Sequence, residues 1–163
     1  MSLFHLVLGL VVLQRLAELA VAQRNTRRLL AKGATEVGRG HYPLIVALHA
    51  GWLVALAIAV PADARVFWPL LGLFLALQAA RIWIISSLGS YWTTRIITLP
   101  GAPLVRRGPY RWLRHPNYLV VALEIAVLPL AFGAVWIAII FSVLNTALLW
   151  HRIRVEVAAL AGR

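Results

Sequence analysis

The chain has 163 residues, 62% of them hydrophobic, and carries 16 Lys and Arg against 5 Asp and Glu, a formal charge of +11. That apolar content exceeds the roughly one-half typical of soluble domains, which excludes an ordinary water-soluble globule and indicates an all-α integral membrane protein. Cysteine is absent, which excludes disulfides, thiolate metal sites and cysteine nucleophiles. The positive charge gathers at the ends of apolar segments, the pattern of membrane topology rather than of nucleic-acid binding, so no nucleic-acid partner is expected.

A spanning helix needs about 20 mainly apolar residues. Residues 3–22 form the first candidate, and helix is expected to continue to Lys32, with breaks at Gly33 and between Gly38 and Gly40. The N-terminus lacks a basic region and a small-residue cleavage site, so this segment reads as a retained helix rather than a signal peptide. Residues 42–60 form the second span, closed by Pro61, and residues 66–88 the third, ending at Gly89. A long polar loop runs to His115. The apolar stretch from Tyr118 to Trp150 is too long for one span and contains Pro129 and Phe132-Gly133, so it reads as a tight hairpin of two helices. The first of these has roughly 14 residues, too few for a full bilayer. The expectation is a single five-helix transmembrane bundle.

Charge sets an expected orientation. Arg24, Arg27, Arg28, Lys32 and Arg39 follow the first span; Arg95, Arg106, Arg107, Arg111 and Arg114 follow the third; Arg152, Arg154 and Arg163 are in the tail. The opposite loops hold little beyond Asp63 and Arg65. Five helices with the N-terminus outside and the C-terminus in the cytoplasm put every basic cluster inside.

Within the spans, Arg15 and Glu18 share a helix face and read as a structural pair. Glu124, about two turns into the fourth helix, leaves two readings open: a substrate-facing acid, or a structural partner for Arg81 or Arg15. His49 reads as a hydrogen-bonded bundle residue. His41 and His49 are eight apart without a nearby acid, so no metal site is expected.

The densest chemistry lies in Arg107-Gly-Pro-Tyr-Arg-Trp-Leu-Arg-His-Pro-Asn-Tyr118. Pro116 restricts His115 to extended geometry and suits the first turn of a helix, so His115 is the expected cap of the fourth helix. The helix start, Arg111 and Arg114 favour an anion, while Tyr110 and Tyr118 supply rings with hydroxyls. In the tail, Arg152 and Glu156 are four apart on one helix face. Taken singly, these features also describe an interfacial cap, an aromatic anchor and a surface salt bridge. Together at one membrane boundary, they describe a ligand site.

The Gly-Pro-Tyr run, Arg114-His-Pro-Asn-Tyr118, the helical pair and Arg152-Ile-Arg-Val-Glu156 resemble the isoprenylcysteine carboxyl methyltransferase family, most strongly over residues 99–160. Residues 1–98 are similar to a bacterial subgroup associated with type III polyketide synthases that O-methylates alkylpyrones. The stretches carrying this likeness are Gly33-Ala-Thr-Glu36, His41-Tyr-Pro43, Leu48-His49 and Ser87-Leu-Gly-Ser-Tyr-Trp-Thr-Thr-Arg95.

The resemblance implies S-adenosyl-L-methionine as cofactor, with a three-helix part over residues 1–98 and a cofactor-binding core over 99–163. It puts Ala102, Pro103, Leu104 and Val105 along the cofactor, surrounded by Tyr110, His115, Pro116, Asn117 and Tyr118, with Glu156 at its polar end and Arg95 as a further contact. Arg152 matches the position facing the methyl acceptor, so Arg152 and Glu156 are the implied catalytic pair and Arg152 the implied substrate contact; Glu124 is a second candidate substrate contact, from its place inside the fourth helix rather than from the resemblance. Where the family usually carries paired acids, this chain has Glu156-Val157.

The implied acceptor is a lipophilic small molecule drawn from the bilayer: a long-chain alkylpyrone or related polyketide, or alternatively a prenylcysteine carboxylate. The implied setting is the cell membrane, among its lipids, with a functional link to a type III polyketide synthase. A non-enzymatic assembly factor or a small transporter is the competing class. A transporter site would lie near the midplane at a repeat interface, and no internal repeat is visible.

Overall fold

The computed structural model describes residues 2–160, excluding the side chain of Leu160. Five α-helices dominate: α1 (Leu3–Ala31), α2 (Tyr42–Ala59), α3 (Trp68–Leu88), α4 (Pro116–Ala131) and α5 (Val135–Leu160). Four of them, α1, α2, α3 and α5, are long and apolar enough to cross a membrane. Their boundaries follow local chemistry. Ser2 caps α1 by accepting from the backbone N–H of His5. Pro43, Pro69 and Pro116 occupy the first turns of α2, α3 and α4, where a missing N–H costs nothing. Only 17% of the most apolar stretch of α2 is buried, and 33% of that of α3, so the remaining apolar surface suits lipid rather than a protein core.

α4 is the exception. Its 16 residues span about 24 Å, short of the roughly 30 Å hydrocarbon core, so the bundle has four candidate spans and one shorter helix rather than five spans. It is also deeply enclosed: it packs along α3 and α5, and Val120, Val121, Ile125, Val127, Leu128 and Ala131 are buried in one core with Phe74, Leu77 and Ile84 of α3. Three residues, Phe132 to Ala134, connect it to α5, and Gly133 takes φ +75 there. The start of α4 lies against the end of α5, because the Tyr118 hydroxyl meets both Arg152 and Glu156.

The enclosure of α4 rests on an ionic cluster. Glu124 is fully buried and accepts from Arg15 Nη2 at 2.6 Å, Arg81 Nη1 at 3.2 Å and Gln78 Nε2 at 2.9 Å. Arg81 also grips Glu18 bidentately, at 2.6 and 2.7 Å, and Arg15 reaches Glu18 at 3.1 Å. Two cations and two anions thus tie α1, α3 and α4 together with no net charge. The pairing of Arg15 with Glu18 expected from sequence is present, but inside a larger network. His49 bonds the Ile45 carbonyl at 2.8 Å, as expected of a bundle residue.

The loops are less plain than an all-α reading implies. Strand β1 (Thr35–Val37) pairs antiparallel with β2 (Ile96–Thr98) in the register Thr35 with Thr98, Glu36 with Ile97 and Val37 with Ile96. This ladder joins the segment after α1 to the segment after α3. Asn25 reinforces the junction, donating to the carbonyls of Gly89 at 3.0 Å and Trp92 at 2.9 Å. Further along, Arg107 Nε donates to the Ser87 carbonyl at 2.6 Å. Gly108, at φ +56, lies so close to Ser87 that a Cβ there would collide with its side chain, so only glycine lets the loop lean on α3.

Contacts also sort the helix ends. Phe4 packs edge-on against Phe132 with centroids 5.1 Å apart, and the Phe67 N–H donates to the Ala131 carbonyl at 2.8 Å. The start of α1 and the α2–α3 and α4–α5 connections therefore share one end of the bundle, and the basic loops share the other.

In this cysteine-free chain, Arg27→Cys and Arg111→Cys will react with an impermeant maleimide from the same side of sealed vesicles, and Asp63→Cys from the opposite side; labelling of all three from one side would refute the arrangement. Glu124→Leu will cost about 3–5 kcal/mol in equilibrium unfolding in mixed micelles, because it strands buried arginine charge. Arg15→Met combined with Glu124→Leu removes one charge of each sign and will be less destabilised than the sum of the single variants by about 1 kcal/mol or more; strict additivity would show that the cluster does not act as a unit.

Candidate active site

At the basic end of the bundle the loops enclose a cleft of about 770 Å³, within the size range of small-molecule sites. One wall is the β2 strand and the loop after it, Leu99 to Arg106; another is the segment from Tyr110 to His115; the third is the start of α4 and the last turns of α5. The β1–β2 ladder, the Ser87–Gly108 contact and the Arg107 bond to α3 fix these walls to the bundle.

A polar network lies across the α4–α5 wall. Arg152, almost fully buried, donates through Nε to the Tyr118 hydroxyl at 2.8 Å and through Nη2 to the Thr94 carbonyl at 2.8 Å. The Tyr118 hydroxyl in turn donates to the Glu156 carboxylate. Arg152 and Glu156 therefore share a face, as their spacing requires, but connect through Tyr118 rather than as a direct salt bridge. His115 occupies the N-cap position of α4 without a side-chain capping bond. Its ring stacks on Tyr118 with centroids 5.3 Å apart and planes 18° apart, and its Nδ1 lies 3.8 Å from Glu156. Burial, with the Glu156 carboxylate adding to it, raises the Tyr110 pKa well above its ordinary value, so this hydroxyl stays protonated and can donate.

The structure brings most of the sequence-predicted residues to this cleft. Ala102, Pro103, Leu104, Val105, Tyr110, His115, Asn117, Tyr118, Arg152, Glu156 and Arg95 all line it. Pro116 does not: it is buried at the start of α4, where it sets the direction of its neighbours. Glu124 is absent too. It belongs to the ionic cluster, which favours the structural one of the two readings its sequence position left open.

Several lining or supporting groups were not singled out from the sequence. Ile96, Ile97 and Thr98 line the cleft because β2 forms one edge of it. The Thr94 carbonyl fixes Arg152, and no side-chain pattern marks a carbonyl in advance. Glu36 holds Arg95 at 2.7 Å while Arg95 lies over the Tyr42 ring at 4.3 Å. As one of only 5 acids in the chain, Glu36 was the available signal. Asn117 leaves its Oδ1 buried without a hydrogen-bond partner. Among the described residues, no group of three or more metal-ligating side chains converges.

The sequence model of the isoprenylcysteine carboxyl methyltransferase (ICMT) family matches residues 70–162, more than half of the chain and every residue that lines the cleft except Leu29. An uncharacterized protein of Bacillus subtilis, YpbQ, is 40% identical over 162 residues, covering 97% of this chain and 96% of its own length. An uncharacterized protein of Haemophilus influenzae is 25% identical over 166 residues, covering 99% and 96% respectively. No solved structure matches the chain. With its membrane-length apolar helices, its cleft at the basic end and this family match, the chain belongs to the isoprenylcysteine carboxyl methyltransferase family.

Proposed function

We propose that the protein is an S-adenosylmethionine-dependent O-methyltransferase whose acceptor is a lipophilic molecule drawn from the bilayer, a long-chain alkylpyrone or related polyketide. The observation that carries this reading is the Arg152–Tyr118–Glu156 chain on the wall of a cleft that opens at the membrane boundary. A transporter would instead hold its site near the midplane.

The residues present suit the cofactor. It carries a carboxylate, amino and hydroxyl donors and a cationic sulfur, and the cleft offers exposed arginines for the first, one carboxylate, Glu156, an unpartnered buried amide oxygen on Asn117, and the backbone of Ala102 to Val105. When bound, S-adenosylmethionine supplies an electrophilic methyl group. His115 and Tyr118 form a stacked aromatic surface for a flat ring. Tyr110 keeps its proton as a donor.

Arg152 is held from two sides, by Tyr118 and Thr94, and so presents a fixed cation toward an acceptor oxygen. The Glu156 carboxylate is already engaged by Tyr118, which leaves the cleft poor in free bases. That composition suits an acceptor that arrives acidic or already ionised, a pyrone enol or a carboxylate, and a catalyst that works by holding oxygen and methyl carbon in line. In the same reading the basic end faces the cytoplasm, the N-terminus lies outside, the enzyme resides in the cell membrane, and a type III polyketide synthase supplies the acceptor.

Calorimetry on detergent-purified protein will show S-adenosylhomocysteine binding at one site, weakened roughly tenfold or more by His115→Ala and by Glu156→Ala, the scale expected for losing a bond to a charged or buried partner. Absence of binding to the wild type would end the methyltransferase reading; binding unchanged in both variants would move the site elsewhere. Incubation of membranes with labelled cofactor, followed by mass spectrometry of the labelled lipid, separates an alkylpyrone from a prenylcysteine acceptor.

A further inference from the structure

Five arginines line the cleft, Arg95, Arg106, Arg111, Arg114 and Arg152, against a single acid, Glu156. Two of the five are committed within the fold: Arg95 to Glu36 and the Tyr42 ring, Arg152 to Tyr118 and Thr94. Arg106, Arg111 and Arg114 are exposed. Among the described residues, none of these three has an acidic partner within ion-pair distance; Arg111 lies over the ring of Trp112 at 5.7 Å. The cofactor's single carboxylate can take one of these three guanidinium groups, and its sulfonium gains nothing from additional cations, so at least two positive charges at the cleft stay without a counter-charge.

The same segment exposes large apolar side chains. Trp112 is 70% exposed and Leu113 47%. Trp112 packs edge-on against Trp83 of α3, with centroids 6.3 Å apart, and Trp83 itself faces outward near the end of that helix. The rim of the cleft therefore sits beside the end of α3, a helix long and apolar enough to cross a membrane. It presents guanidinium groups beside an indole and a leucine, the combination that meets a phosphate and the first carbons of an acyl chain together. Arg24, Arg27 and Arg28 at the basic end of α1 are charged as well, but do not line the cleft.

We propose that Arg106, Arg111 and Arg114, with Trp112 and Leu113, form a binding site for the headgroup of an anionic phospholipid at the mouth of the cleft. A lipid seated there supplies the counter-charge that the chain lacks and places its acyl chains along the outer face of α3. The site stands independently of the methyltransferase reading, because it rests on charge balance and exposure at the rim rather than on the contents of the cleft.

The test is native mass spectrometry of the full-length protein released from mixed micelles of phosphatidylglycerol and phosphatidylcholine. The wild type will retain phosphatidylglycerol in preference to phosphatidylcholine by about tenfold or more, given an expected factor of about fivefold per arginine at an anionic surface. The triple variant Arg106→Gln, Arg111→Gln, Arg114→Gln will lose that preference. Arg24→Gln, Arg27→Gln, Arg28→Gln, an equal change of charge away from the rim, will keep it, and Trp112→Ala will reduce retention with all charges intact.

Equal retention of the two lipids by the wild type, or an unchanged preference in the triple variant, would overturn the proposal. An equal loss in the α1 variant would reduce the effect to net charge, and displacement of the lipid by millimolar inorganic phosphate would reduce it to a simple anion site. S-adenosylhomocysteine calorimetry on the same variants is read separately, so failure of the lipid site and failure of the cofactor reading are distinguishable.

Discussion

Hydrocarbon offers no hydrogen bonds, and this constraint organises the molecule around Glu124. A carboxylate two turns inside an apolar helix must find its partners within the protein, and Arg15, Gln78 and Arg81 provide them from two other helices. Pairing is reciprocal: Arg81 satisfies Glu18 with the rest of its guanidinium, so each of the four charges is neutralised by its neighbours. Replacing such a cluster by well-packed apolar side chains need not destabilise the fold, but removing one member must. What the cluster secures is placement, because α4 is too short to be positioned by spanning the bilayer and is instead clamped by α1 and α3.

That placement governs the basic end. Tyr118 lies in the first turn of α4, six residues before Glu124, so the helix that carries the buried acid also carries the hydroxyl that meets Arg152 and Glu156. The loop wall is fixed differently, by backbone: three residues of antiparallel ladder, the Asn25 bonds, the Arg107 bond and the close approach of Gly108 to Ser87. One side of the cleft is therefore held through charge inside the bundle, and the other through hydrogen bonds at its edge. A cleft held from both sides in this way meets the first requirement of a catalyst that acts by positioning.

The helices were legible in the sequence because each is bounded by residues with local effects. Gly33, Pro61, Gly89 and the Phe132-Gly133 pair interrupt long apolar runs, and the structure ends or begins helices within a few residues of each. The shortness of the fourth helix was legible for the same reason, from Pro116 and Phe132-Gly133. The ladder between Thr35–Val37 and Ile96–Thr98 was not legible: two three-residue strands some sixty residues apart carry no hairpin signal and too little alternation to register. Glu124 shows the limit for a single side chain, since an intramembrane acid announces importance without saying whether it serves chemistry or packing.

The sequence by itself determined that the chain is a membrane protein of long apolar helices, that its basic segments gather at one end, and that His115, Tyr118, Arg152 and Glu156 lie in the segment that resembles one family. The first two follow from composition and from the length a spanning helix needs; the third is a likeness to a known family. The tertiary structure alone decided that Tyr118 stands between Arg152 and Glu156, that Thr94 lends its carbonyl to the site, and that Glu124 is bound up in the bundle. The reason is physical: spacing along one helix fixes which side chains share a face, but the partner across that face comes from a different helix or loop, and only packing brings it there.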